Sequence, residues 1–294
     1  MTTNPNPTLA LKCLGYTDRE ATFLYLVAVH SGYFLRRQFE HFIQRRRGYL
    51  SHHFTEKARI AGHIEVIDYQ GRFVYHLRFK PIYRLAGNPD SQNQRRKGDA
   101  QIRARLMALD YVLQNIQDHY FETSREKLQF FIKIRGASPS LVTDSDQHLH
   151  LLLGACPVSI EDPTQPASSI VRFAFIDEGL LSTSKFSRFL TELAPLLDVV
   201  GRFEVIYAAT SDFSFVDAEK LFRRVFSSRL ADRQQTFAEF ASTTKPTRRI
   251  TRVPMHAKFT RLLLRNSYPG LLRNEPWRSV NDSDRRSQPQ GVSA

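Results

Sequence analysis

Asp177-Glu178-Gly179 stands where the clearest strand signature of the second half, Ser169-Ile170-Val171-Arg172-Phe173-Ala174-Phe175-Ile176-Asp177, gives way to a helical pattern. Carboxylates at the carboxyl end of a central strand are a common place for metal or catalytic work in α/β domains. Asp177 and Glu178 are therefore the candidate catalytic pair. The chemistry would be Mg²⁺-assisted phosphodiester cleavage, with the carboxylates holding the ion and a nearby lysine stabilising charge. The spacing argues against it. A Glu-x-Lys arrangement is missing, because Leu180 stands two positions after Glu178, and Lys185 belongs to the next helix. Asp144 and Asp146 offer further oxygen ligands but fall in a loop without specified geometry. His148 and His150 alternate on a strand-like run and could join Cys156 on a metal; three such groups with no fourth make a poor zinc pattern. No phosphate-binding glycine loop, dinucleotide fingerprint or nucleophile elbow occurs. The reading is thus of a non-enzyme with no metal and no cofactor.

A second constellation carries more. Gln44-Arg45-Arg46-Arg47-Gly48 leads into Tyr49-Leu50-Ser51-His52-His53-Phe54-Thr55-Glu56-Lys57-Ala58-Arg59. Tyr49, Leu50, Phe54, Ala58 and Ile60 recur at helical spacing and are expected to face a core. The polar face left over holds Arg47, Ser51, His52, Thr55 and Arg59, with Arg45 and Arg46 in the turn before it. A basic, hydroxyl-rich helix face suits the major groove of DNA, and the arginines suit phosphates.

The elements that would position that helix surround it. Thr17-Asp18-Arg19-Glu20 is a capping box that starts an almost wholly apolar helix, ended by Ser31-Gly32. Leu35, Phe39, Phe42 and Ile43 mark a second, short helix; residues 49–61 form the third. Ile64 to Asp68 and Phe73 to Leu77 read as a hairpin around Gln70-Gly71, with Arg72 placed to reach a phosphate or the minor groove. Three helices and a hairpin predict a winged helix-turn-helix over residues 15–87, after a flexible tail at 1–14. Residues 88–99 are polar and punctuated by Gly and Pro, and read as a domain linker.

From residue 100 to 243 the pattern predicts an α/β domain: helices at 100–116 and 124–134, strands at 148–153, 157–160 and 169–177, a helix at 186–197, a strand at 202–209, and helices at 217–226 and 230–241. Strand, helix, strand in that order implies a parallel pair. The expected fold class is α+β: an N-terminal winged helix-turn-helix followed by an α/β domain with a small, partly parallel sheet. Residues 244–278 read as a basic helical extension, with Lys245, Arg248, Arg249, Arg252, Lys258, Arg261 and Arg265 as a second basic patch, and residues 279–294 as a disordered tail.

Composition agrees with a polyanionic partner. Lys plus Arg number 42 against 29 Asp plus Glu, a formal net charge of +13 over 294 residues. Two cysteines so far apart exclude a disulfide framework or a zinc ribbon. No signal peptide and no membrane-length apolar run is present, so the expected setting is the cytoplasm, with no membrane partner.

The wing strand Phe73-Val74-Tyr75-His76-Leu77 and the segment Phe173-Ala174-Phe175-Ile176-Asp177-Glu178-Gly179, followed by a helix at 186–197 and a strand at 203–208, resemble the replication-relaxation family of bacterial plasmids and mobile elements. The resemblance covers about residues 15 to 230 and implies a winged helix joined to a degenerate restriction-endonuclease-like domain. It further implies a bacterial cytoplasmic, sequence-specific duplex-DNA-binding protein, an accessory or regulator in mobile-element replication, transfer or transcription. Its partners would be double-stranded DNA and a relaxase or replication protein, or a second copy of the chain. The adjacent Asp-Glu pair without its lysine departs from a nuclease pattern. Two other readings stay open: a Mg²⁺-dependent nuclease, and a protein–protein adaptor using its winged helix.

Overall fold

The computed structural model describes residues 7–45, 48–68, 72–143, 149, 152–154, 156–179, 183–209, 213–236, 248–254 and 278–279. The fold is α+β, with two separate sheets. The chain divides into two compact units, Met1–Leu113 with Leu262–Ala294, and Gln114–Arg261.

The first unit runs α1 (Pro7–Lys12), α2 (Asp18–His30), β1 (Tyr33–Phe34), α3 (Arg36–Phe42), α4 (Tyr49–Ile60), β2 (Ile64–Asp68), β3 (Phe73–Leu77), α5 (Lys80–Leu85) and α6 (Asp99–Gln114). Helix α2 starts at the expected capping box: Thr17 N–H donates to Glu20 Oε2 at 2.9 Å, and Glu20 N–H donates to Thr17 Oγ1 at 3.4 Å. Strands β2 and β3 pair antiparallel from Ile64↔Leu77 to Asp68↔Phe73. The two-residue β1 joins the outer edge of β3, Tyr33 opposite His76. Arg278–Ser279 (β9) pairs with Ile67 and Asp68 on the other edge.

An aromatic cluster holds these pieces together. Phe23 of α2 lies 5.1 Å from Phe39 of α3 and 5.9 Å from Phe54 of α4, ring centre to ring centre. Phe39 and Phe54 stack at 4.3 Å, and Phe34 of β1 stacks on Tyr75 of β3 at 5.1 Å. The opposite face of the small sheet carries Tyr33, Ile67 and Val74, which cluster with Leu35 and with Ile102 and Leu106 of α6. Polar bonds fix α6 there: the Arg37 guanidinium meets the buried Asp110 carboxylate twice, at 2.9 and 3.3 Å, and Gln38 Nε2 donates to Leu106 O and Asp110 Oδ1, both at 2.8 Å.

Three expectations change here. The segment 1–14 is not a plain tail, because α1 forms and buries Leu11 completely. The segment 88–99 is not a domain linker; it is a strap packed on the first unit. Asn93 is buried, and its Nδ2 donates to the Ala28 and Val29 carbonyls at the end of α2, each at 3.0 Å. Tyr33 Oη donates to Arg95 O at 3.3 Å and accepts from Lys97 N–H at 2.9 Å. Polar residues can be buried where they satisfy the orphan carbonyls of a helix end, so low hydrophobicity misled the boundary. Helix α6, expected to open the second domain, belongs instead to the first unit up to Leu113.

In the second unit β4 (His119–Tyr120), β5 (Val158–Ile160), β6 (Val171–Asp177), β7 (Phe203–Ala209) and β8 (Arg248–Pro254) form one sheet in that order. β6, β7 and β8 are parallel, and β4 and β5 are antiparallel to their neighbours. The helices are α7 (Ser124–Lys133), α8 (Pro139–Thr143), α9 (Thr183–Val200) and α10 (Phe213–Thr236). α9 buries Phe186, Phe189, Leu190, Leu193, Leu197 and Val200, an apolar stripe at helical spacing, into one core with Phe173, Phe203 and Tyr207. The two helices expected at 217–226 and 230–241 are one through Thr236, since serines at 227 and 228 do not break a helix. The strand expected at 148–153 does not form where it is described: residues 152–154 are helical. The basic helical extension fails at its start, because Arg248–Pro254 is a strand whose Arg248 pairs with Phe203 and Pro254 with Ala209. The helix expected near 256–266 and the tail from 280 lie outside the described residues.

The strap can be probed at two residues beneath it. Gly32 holds φ at +79°, and a Cβ there would collide with the Asn93 carbonyl oxygen. Gly32→Ala should therefore cost at least about 2 kcal/mol in urea unfolding, through strain and displacement of the strap together. His76 is fully buried, stacked on Tyr33 at 4.2 Å and donating from Nε2 to Asn93 O at 3.3 Å. Burial pushes its pKa down to about 4. The native state thus holds His76 neutral, while the unfolded chain protonates near pH 6.5. Its contribution is complete above that pH and is lost as pH falls toward 4, by roughly 3 kcal/mol. Denaturation at several pH values should show this loss, and His76→Phe should remove it.

Candidate functional site

Helix α4 follows α3 through a turn in which Gln44 adopts the left-handed conformation at φ +54° and Arg45 N–H donates to Glu40 O at 3.0 Å. Arg45 is exposed at its end. Arg46 and Arg47, expected to contact DNA, lie outside the described residues.

The rotation of α4 differs from the expected one. Its buried face is Ser51, Phe54, Thr55 and Ala58. Ser51 Oγ donates to Glu40 Oε1 of α3 at 2.7 Å, and Thr55 Oγ1 donates back to the Ser51 carbonyl at 3.1 Å. Ser51 and Thr55 are therefore packing and anchoring residues, and the assignment of both to a DNA-facing surface is corrected. The outward face instead carries Tyr49, Leu50, His52, His53, Arg59 and Ile60, with Glu56 half-buried. Tyr49 is 76% exposed, Ile60 74% and Leu50 47%, so three positions expected in the core are on the surface. Phe54 and Ala58 alone satisfy the apolar stripe. The signal was present in the sequence: Ser51, Phe54, Thr55 and Ala58 recur at the spacing of one helical face, and small hydroxyl side chains suit a close helix–helix contact.

Charges around this face are partly spoken for. Arg59 donates to Glu56 through Nη2 at 2.6 Å and Nε at 3.1 Å, and this bond holds the Glu56 carboxyl below its usual range. Lys57 turns back to Glu20 of α2 and lies 5.0 Å from the centre of the Tyr16 ring. Behind α4, Tyr16 Oη and His63 Nδ1 share a hydrogen bond of 2.7 Å; burial lowers the His63 pKa and raises that of Tyr16. His52 and Arg72 are exposed, Arg72 on the hairpin. The structure thus gives α4 an exposed stripe with Arg45 beside its beginning and Arg72 on the neighbouring hairpin of the same unit.

The carboxylate pair has a different environment. Asp177 ends β6, buried, with Oδ1 accepting from Gly179 N–H at 2.9 Å and Oδ2 accepting from Tyr207 Oη of β7. It orders the turn and ties β6 to β7. Glu178 is buried beside it. Cys156 is buried, its thiol donating to Ala174 O at 3.2 Å, and burial raises its pKa to about 12, which disfavours the thiolate a metal needs. His148, His150, Asp144 and Asp146 lie outside the described residues. Among the described residues no three His, Cys, Asp or Glu side chains gather as a metal site, and no helix is long and apolar enough to cross a membrane. Of the second basic patch, Arg248, Arg249 and Arg252 sit on edge strand β8. Lys245, Lys258, Arg261 and Arg265 lie outside the described residues.

No family model matches the chain, and no curated protein or solved structure gives a match.

If Asp177 is a structural anchor, Asp177→Asn and Tyr207→Phe should each lower stability by about 1–2 kcal/mol. The double variant should lose less than the sum, since Asp177→Asn weakens the same Tyr207–Asp177 bond that Tyr207→Phe removes. Thermal unfolding of the four proteins checks this.

Proposed function

We propose that this chain is a double-stranded-DNA-binding protein of winged helix-turn-helix plan, with α4 as the helix that enters the major groove and the β2–β3 hairpin as the wing. The observation that carries the reading is the exposed face of α4, with His52, His53 and Arg59 on it, Arg45 before it and Arg72 on the hairpin. The element order supports it too: helix, short strand, helix, helix, hairpin, with the short strand closing the sheet against β3. A helix pair with its second member exposed and a hairpin beside it is the geometry by which such domains dock. The net charge of +13 supplies the sequence-independent attraction to phosphates.

In this reading Arg45, Arg46, Arg47 and Arg72 bind phosphates, and His52 and Arg59 reach the groove. The replication-relaxation resemblance extends it to an accessory or regulatory role on a bacterial plasmid or other mobile element, in the cytoplasm, with a relaxase, a replication protein or a second copy as partner. Asp177 serves the fold of the second unit in this account, and no nuclease activity is proposed.

Binding of a fluorescent duplex, followed by anisotropy as salt rises, tests the assignment. Arg45→Ala with Arg72→Ala should weaken binding and flatten the slope of log affinity against log salt by about one unit for each phosphate no longer neutralised. An unchanged slope in the double variant would overturn the placement of the interface.

A further inference from the structure

Resting on that reading, we infer that α4 selects duplexes carrying thymine in the major groove, through methyl contacts made by its exposed apolar side chains. The outward line of the helix runs Tyr49, His53, Glu56, Ile60, with Leu50 beside the first of these. Its ends are apolar and unusually open: Tyr49 is 76% exposed, Leu50 47% and Ile60 74%. The Tyr49 ring lies 5.5 Å from the His53 ring, so the two form one raised edge.

These side chains are on the surface because the inward face is filled by Phe54, Ala58 and the two bonded hydroxyls of Ser51 and Thr55. An apolar protein partner is a poor match for them. Tyr49 and Ile60 stand about 16 Å apart along the axis at roughly 1.5 Å per residue. Between them are an imidazole and the Glu56–Arg59 ion pair. That is no contiguous apolar patch of the kind that marks a protein interface. It does match a major groove, where polar base edges alternate with the thymine C5-methyl, the one apolar group displayed there. Charge agrees: Arg45 precedes the stripe and Arg72 lies on the hairpin, while Arg59 neutralises Glu56 and so removes its repulsion toward phosphate.

The test uses the full-length protein. Short duplexes are selected from a random pool by retention on the protein. The best is then resynthesised with uracil in place of thymine, one position at a time; this deletes only the methyl. Affinity should fall about fourfold for each methyl in contact. Leu50→Ala and Ile60→Ala change exposed side chains, and each should abolish the thymine–uracil difference at its own position while circular dichroism stays native. Equal affinity for thymine and uracil duplexes at every position overturns the inference and leaves DNA binding standing. Failure of any duplex to bind at low salt overturns both, and assigns the face to a protein partner.

Discussion

The contact on which the first unit depends is the packing of Phe54 against Phe23 and Phe39. It brings α4, α2 and α3 to a common point, and Phe34 with Tyr75 carries the same core into the sheet. Aromatic rings bury large areas in restricted relative orientations, so this cluster sets the rotation of α4 as well as its position. The Ser51–Glu40 bond then locks that rotation from the side. What α4 shows to solvent is the complement of what these contacts take inward. The candidate interface is therefore a consequence of core packing.

The same logic explains why the first unit needs residues well past its hairpin. This small sheet with only one face covered would leave Tyr33, Ile67 and Val74 open to water. Helix α6 covers them, and the Arg37–Asp110 pair with Gln38 pins that helix to α3. The strap at 88–98 joins α5 to α6, and its Asn93 is buried by satisfying carbonyls at the end of α2. The turn helix α3 is thereby held from two sides, by α4 through aromatic rings and by α6 through charge.

Much of this was legible in the sequence. The capping box at Thr17, the β2–β3 hairpin, the apolar stripe of α9 and the parallel step from β6 to β7 all follow from spacing and turn chemistry. Elements governed by distant partners were not. β1 is two residues long and exists only because β3 offers it an edge. β8 carries Arg248, Arg249 and Arg252 and reads as a basic tail, although Ile250, Thr251 and Val253 favour a strand. The strap looks like solvent-exposed linker until the carbonyls it caps are known. On α4 and the hairpin, the exposure of His52, Arg59 and Arg72 was legible, whereas the inward turn of Ser51 and Thr55 depended on Glu40 of another helix. The outward turn of Tyr49 and Ile60 followed from it.

The proposed docking puts the outward face of α4 against duplex DNA. A photo-crosslinking side chain at position 53, on that face, and in a separate protein at position 199, exposed on α9 of the second unit, tests this claim. Crosslinks to a bound duplex from position 53 and none from position 199 are the expected result. Retained binding with no crosslink from position 53 would contradict the claim.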